Sequence, residues 1–163
     1  MAGDIEVCGV RDGLPDPRAA LADLRRFARS RGGWAQILDA GRVLGRDHVL
    51  SAFEHARRAF EQGTNTTTSI EMEFLLYASG ERQISKAIEV AGLRAGRPFV
   101  VVAEGLRVGD ILRRFGWRRD DRVVKATPAK LRAFGFSKEE MRSAGASVAA
   151  LVLERVARVD LIK

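Results

Sequence analysis

Residues 65–92 read N-T-T-T-S-I-E-M-E-F-L-L-Y-A-S-G-E-R-Q-I-S-K-A-I-E-V-A-G. The stretch predicts two helices that meet at a glycine corner. Thr68, with Glu71 three residues on, has the spacing of a capping box, in which side chains and backbone satisfy one another at a helix start. Ile70, Phe74, Leu75 and Ala78 then recur at helical spacing. Gly80 is placed to stop the helix, because glycine alone takes the left-handed conformation there without a Cβ penalty. The second helix is expected to bury Ile84, Ala87, Ile88 and Ala91 and to stop at Gly92. Between the two lies Ser79-Gly80-Glu81-Arg82-Gln83, short and polar. Helix punctuation explains the glycine. It does not explain Arg82 and Gln83 together, and that makes the corner a candidate site.

Upstream, a helix is expected from about Asp47 to Gln62, with Val49, Leu50, Phe53, Ala56 and Phe60 inward and Gly63 as its stop. Downstream, Pro98 to Ala103 contains F-V-V-V-A, a continuous apolar run that suits a strand buried on both faces. Asp4–Gly9 alternates like a strand, Trp34–Leu38 is a second short one, and Arg122–Lys125 is a candidate edge strand. Asp16-Pro17 opens a helix that buries Leu21, Leu24, Phe27 and Ala28 and closes at Gly32-Gly33. Val108–Phe115 is a short helix ending at Gly116, and Thr127-Pro128 starts a small one that ends at Gly135. Ser137 with Glu140 is another capping box. It is expected to open the longest helix, running to about Ile162 with Met141, Ala144, Val148, Leu151, Val152 and Val156 on one face. The fold class is α/β (α+β mixed): a small mixed β-sheet flanked by helices, with a central helical segment near residues 47–92, all in one domain spanning 1–163.

Composition narrows the function. At 163 residues with 46% hydrophobic content, the chain can build a core and is not expected to be disordered. No apolar run approaches the roughly 20 residues of a membrane span. No basic-then-apolar leader is seen at the N-terminus, so a cytoplasmic protein is expected. Cys8 is the single cysteine, which removes internal disulfides and zinc-ribbon arrangements. It sits in an alternating run and is expected to face a sheet. Lysine and arginine number 28 against 21 acids, a net charge of +7 that favours polyanionic partners. Between Arg107 and Arg132 nine basic residues face only Asp110, Asp120 and Asp121.

Catalytic signatures are missing. There is no G-x-G-x-x-G after a strand and no P-loop. His48 and His55 lie two helical turns apart, too far for the usual metal pair, and no carboxylate completes a set. Glu71 and Glu73 point in different directions on a helix, and no Ser-His-Asp arrangement stands out. No cofactor, no metal and no enzymatic activity are expected.

Several segments together carry a resemblance: D-H-V-L-S-A-F-E-H-A-R-R-A-F from Asp47, E-M-E-F-L-L from Glu71, S-G-E-R-Q-I-S-K-A-I from Ser79, then the F-V-V-V-A strand. In order and spacing the chain resembles the small kinase-binding subunit of the KEOPS complex, the family also called TPRKB or PRPK-binding protein, and the S-G-E-R-Q-I form is similar to archaeal members. The resemblance implies a non-catalytic subunit. It implies docking on the N-terminal lobe of the small atypical KEOPS kinase. It also implies a grip on the single-stranded 3′ CCA end of tRNA, for threonylcarbamoyladenosine formation. The alternative is a general RNA-binding module without a kinase partner.

The residues fit an RNA grip. Arg82 and Gln83 stand at a helix start, where free backbone N–H groups favour a phosphate. Ser79 and Gly80 permit close backbone approach. His48 and Asn65 begin or precede neighbouring helices, and the three starts form one polar cleft if they converge. Arg57, Arg58 and the Arg113-to-Arg122 patch would carry the rest of the tRNA electrostatically. Arg82 has an alternative role as an ion-pair partner of Glu71, Glu73 or Glu81, His48 as a packed helix-start histidine, and Arg113 and Arg114 as a solvated helix face. The kinase-binding face stays unassigned, with the apolar surplus of the last helix (Val148, Ala149, Leu151, Val152, Leu153, Val156) as its candidate.

Overall fold

The computed structural model describes residues 4–145 and 148–162, with the side chains of 89–91 left out. Among these residues the elements are β1 (Ile5–Val10), α1 (Pro17–Ser30), β2 (Trp34–Asp39), α2 (Arg46–Gln62), α3 (Ile70–Ser79), α4 (Ile84–Ala91), β3 (Phe99–Glu104), α5 (Val108–Phe115), α6 (Pro128–Ala133), α7 (Lys138–Ala144), α8 (Val148–Ala157) and α9 (Val159–Ile162). They form two compact units, each made of two stretches: Met1–Gly41 with Gly92–Lys125, and Arg42–Ala91 with Ala126–Lys163.

The first unit is built on a three-stranded sheet in the order β1-β3-β2. The apolar run Phe99–Ala103 is its centre and is fully buried, as a strand with neighbours on each side must be. Cys8, Val10, Ile37, Phe99 and Val101 point to one face, where Leu24 and Ala28 of α1 and Val108 and Ile111 of α5 close the core. Burial pushes the Cys8 thiol up to about 11, so it behaves as a small apolar side chain. The mixed α/β class holds. Within it, both strand pairings are antiparallel and the sheet is not mixed.

Gly9 explains the departure at Arg122–Lys125. A one-turn 3-10 helix at Asp121–Val124 stands there in place of an edge strand. Asp120 caps it by accepting from the backbone N–H of Arg122, and its own N–H donates to Gly9 O at 2.8 Å. The turn packs so close to β1 that a Cβ on Gly9 would fall 2.3 Å from Asp120 O.

The second unit is helical. Its hub is α3, in which Glu71 and every residue from Glu73 to Ser79 are buried. A helix buried all round must have neighbours on every side. Leu44, Leu131, Phe134, Phe136 and Val152 form a further cluster, with Met141, Val148 and Leu151 packed on it. The capping box of Ser137 and Glu140 is formed. The expected single C-terminal helix is instead α7, α8 and α9, because Gly145 ends α7 with its backbone at φ 53°. In α4, Ala87 is fully buried but Ile88 is 49% exposed, so that side chain is not core. Ala91 lies outside the described side chains.

Two glycine substitutions should move stability in opposite directions. Gly9→Ala should cost about 2–3 kcal/mol by forcing Cβ against the Asp120 carbonyl. Gly109, inside α5 with open space at its Cβ position, should gain about 0.5–1 kcal/mol on change to Ala. Urea denaturation of both variants checks the pair, and a Gly9→Ala protein as stable as wild type would contradict the close approach.

Candidate functional site

The corner begins where α3 ends. Gly80 takes φ 74° and closes a Schellman motif: its N–H donates to Tyr77 O, and the Glu81 N–H donates to Leu76 O at 3.1 Å. The buried Ser79 hydroxyl donates to Leu76 O and accepts from Glu81 N. These bonds use up the polar groups of the turn itself. Arg82 and Gln83 follow and stand exposed, and the Gln83 carbonyl accepts the first bond of α4 from Ala87. Behind the corner lies Arg155 of α8. Its guanidinium sits 4.5 Å from the Phe136 ring centroid and donates to Phe134 O, and its stem would meet any Cβ added at Gly80.

The start of α3 is organised by an acid. Ser69 is the N-cap and accepts from Met72 N. The expected Thr68–Glu71 capping box is absent, because the helix starts one residue later and Met72 occupies the position where a glutamate would have to reach back. Glu73, 0% exposed, accepts from the backbone N–H groups of Thr66 and Thr67 at 2.9 to 3.1 Å. The Thr67 hydroxyl lies 2.9 Å from this carboxylate and from Ser69 O. Asn65 donates to Thr67 O at 2.9 Å. The loop is thereby fixed by side chains on its inner side.

A groove of about 630 Å³ runs between this loop and the corner. Thr66, Thr67 and Thr68 line one wall, and Arg82, Gln83 and Ser85 the other, with Met72 and Ile84 supplying apolar surface. Arg82 makes no ion pair with the described residues, so its charge is available to a ligand. The groove offers hydroxyls and an amide for base or sugar edges, apolar contact for a base face and one guanidinium for a phosphate.

The expected site residues separate into groups. Arg82 and Gln83 are brought together in the groove, Gly80 forms its corner, and Asn65 braces the threonine loop. Ser79 is a buried cap. His48 is a correction: it is 1% exposed, its Nδ1 accepts from Leu44 N and its Nε2 donates to Ala78 O at 2.8 Å. Both ring nitrogens are committed inside the fold, so the residue has nothing to offer a ligand. Arg57 is half-buried and ion-paired to Glu54 at 2.8 Å and Glu61 at 2.5 Å. Arg58 is exposed at a second cavity of about 360 Å³ with Gln62, Thr64 and His55. There Asp160 of α9 accepts from Tyr77 and lies 2.8 Å from His55 Nδ1. Sequence reasoning missed Thr66, Thr67, Met72 and Ser85 as lining and Glu73 as the brace. The run T-T-T-S directly before an acid-containing apolar helix was the available signal.

Among the described residues no group of three or more His, Cys, Asp or Glu is placed to hold a metal, and no helix is long and apolar enough to cross a membrane. The family model described as "Kinase binding protein CGI-121" matches residues 22–142. The chain is also similar to "Regulatory protein Cgi121" of Methanocaldococcus jannaschii, with 31% identity over 129 residues, covering 78% of this chain and 84% of that protein.

The buried imidazole makes stability depend on pH. Desolvation lowers its pKa from 6.5 to about 4, so it stays neutral in the fold while the unfolded chain protonates it near 6.5. Its stabilising contribution is complete above pH 6.5 and is lost as pH falls towards 4, by about 3 kcal/mol. Urea titrations at pH 7 and pH 4.5 should show this fall. His48→Gln should flatten it, and an equal slope in that variant would assign the effect elsewhere. Glu73→Ala should cost about 3 kcal/mol by stranding two backbone donors.

Proposed function

The chain belongs to the CGI-121 kinase-binding protein family, and from that membership we propose that it is a non-catalytic accessory subunit of the KEOPS complex. In this role it binds the small KEOPS kinase and recruits tRNA by its 3′ CCA end for threonylcarbamoyladenosine formation in the cytoplasm. The groove between the threonine loop and the Gly80 corner carries the RNA half of the reading. A single-stranded end needs a cation for phosphate, donors and acceptors for base edges and a surface for base faces. Arg82 supplies the first, Gln83 and the threonine hydroxyls the second, Met72 and Ile84 the third. Arg58 supplies a further phosphate contact beyond the loop.

The kinase half rests on the family and on where apolar surface is left uncovered. Among the described residues the exposed large hydrophobics are Ile88, Leu153, Leu161 and Ile162, all in the second unit. Val152 and Val156, considered with Leu153 from sequence, are core. Leu153, Leu161 and Ile162 lie on α8 and α9 and supply the apolar centre that a protein interface requires. This surface takes the N-terminal lobe of the kinase.

Binding of intact tRNA and of tRNA lacking its CCA end should differ by at least about tenfold, and equal affinity would remove the grip. Arg82→Ala should weaken intact tRNA about tenfold, or ~1.4 kcal/mol, with the melting temperature unchanged. Leu161 is 84% exposed, so Leu161→Asp should leave the fold intact and abolish co-purification with the kinase. Retained co-purification would move the docking face elsewhere.

A further inference from the structure

Arg113, Arg118, Arg119 and Arg122 of the basic stretch that stands out in the sequence are ion-paired in the fold. Arg122 and Arg11 both bind Asp120, at 2.9 and 2.6 Å, and hold its carboxyl well below the usual carboxylate range. Arg119 pairs with Asp121 at 2.9 Å, Arg118 with Asp12 at 3.1 Å and Arg113 with Asp110. The uncompensated cations lie on and beside α1 and α5, the latter within the same stretch. Residues 17–31 and 107–118 carry nine arginines and two aspartates, with no lysine or glutamate. Their combined surplus equals the net charge of +7 on the whole chain. Arg18, Arg31, Arg107 and Arg114 are exposed and make no ion pair with the described residues.

Aromatic rings fix two of these cations. The Arg31 guanidinium lies 4.9 Å from the Phe27 ring centroid, and that of Arg114 lies 5.2 Å from Phe115. The two rings meet edge to face at 5.9 Å, which joins α1 to α5, and Trp117 stacks on Phe115 at 4.8 Å. The two guanidiniums therefore occupy one continuous surface of the first unit. A stacked guanidinium keeps its edge free for a planar, bidentate anion. The neighbouring Ser30 hydroxyl donates to Phe27 O at 2.7 Å, and the two cations suit a backbone of phosphates.

We propose that this surface of α1 and α5, centred on Arg31 and Arg114, binds the sugar-phosphate backbone of an RNA duplex. The inference deepens the reading of the groove as a site for an RNA end and rests on RNA being the ligand. Its recognition is independent of sequence and of any single-stranded overhang.

The experiment uses the full chain and a blunt RNA duplex with no overhang, titrated between 50 and 200 mM salt. Arg31→Ala/Arg114→Ala should lower the salt slope by roughly 1.4–1.8 log units, at 0.7–0.9 for each lost phosphate contact, and weaken binding about tenfold at the low-salt end. Arg31→Lys/Arg114→Lys should retain most of the slope, which a purely structural role for the arginines would not predict. Arg82→Ala should leave blunt-duplex binding unchanged, so failure of the groove and failure of this surface read out separately. A double alanine variant that binds the duplex like wild type overturns the proposal. So does tighter binding of a polyglutamate chain of equal charge, since that would assign the surface to an acidic protein.

Discussion

The groove depends on the carboxylate of Glu73. A carboxylate with no exposed surface needs hydrogen-bond donors in place of its water, and the backbone of Thr66 and Thr67 supplies them. The dependence runs both ways. The loop has its conformation because the acid draws two N–H groups inward, and α3 can be buried this deeply because its deepest acid is satisfied by that loop. The loop is one wall of the groove and the Gly80 corner at the far end of α3 is the other. A single buried helix therefore sets the distance between the walls.

The corner is controlled with the same economy of groups. The last carbonyls of a helix need partners outside it. Those of α3 find them in the Schellman bonds, in the Ser79 hydroxyl and in the His48 imidazole, whose Nε2 donates to Ala78 O. Each of these groups looks like a ligand contact in the sequence, and each is spent on ending the helix. Only Arg82 and Gln83 have no such duty, and they project into the groove. His48 thus shapes the corner from beneath without reaching its surface.

Much of the fold was legible because punctuation and periodicity coincide. Asp16-Pro17, Gly63, Gly80, Gly116 and Ser137 with Glu140 mark element ends, as observed. Several misreadings share a cause: a contact outside the local pattern decided a local choice. R-V-V-K has strand composition, but Asp120 and its contact with Gly9 bend it into a turn. The cap of α3 is Ser69 and not Thr68, where Glu73 holds the Thr66 and Thr67 backbone just before it. Of the groove's lining, Arg82 and Gln83 were the residues legible as site candidates. Whether a histidine at a helix start faces ligand or core depends on what packs over it. Here the Phe134 ring stands edge-on at 5.6 Å, a contact between residues far apart in sequence.

Net charge shows the same limit in electrostatics. A count of arginines measures long-range attraction, which steers a polyanion towards the protein. Contact with a phosphate requires in addition a guanidinium that is not already bidentate with a carboxylate. Arg119 and Arg122 stand in the densest basic run, yet aspartates on the same loop hold them. Arg31 lies outside that run and Arg114 within it, and among the described residues rings hold both. An aromatic face orients a guanidinium without neutralising it. Arg31 and Arg114, beside phenylalanine, are therefore fitted for contact, while Arg119 and Arg122, beside aspartate, fasten the turn that packs on β1.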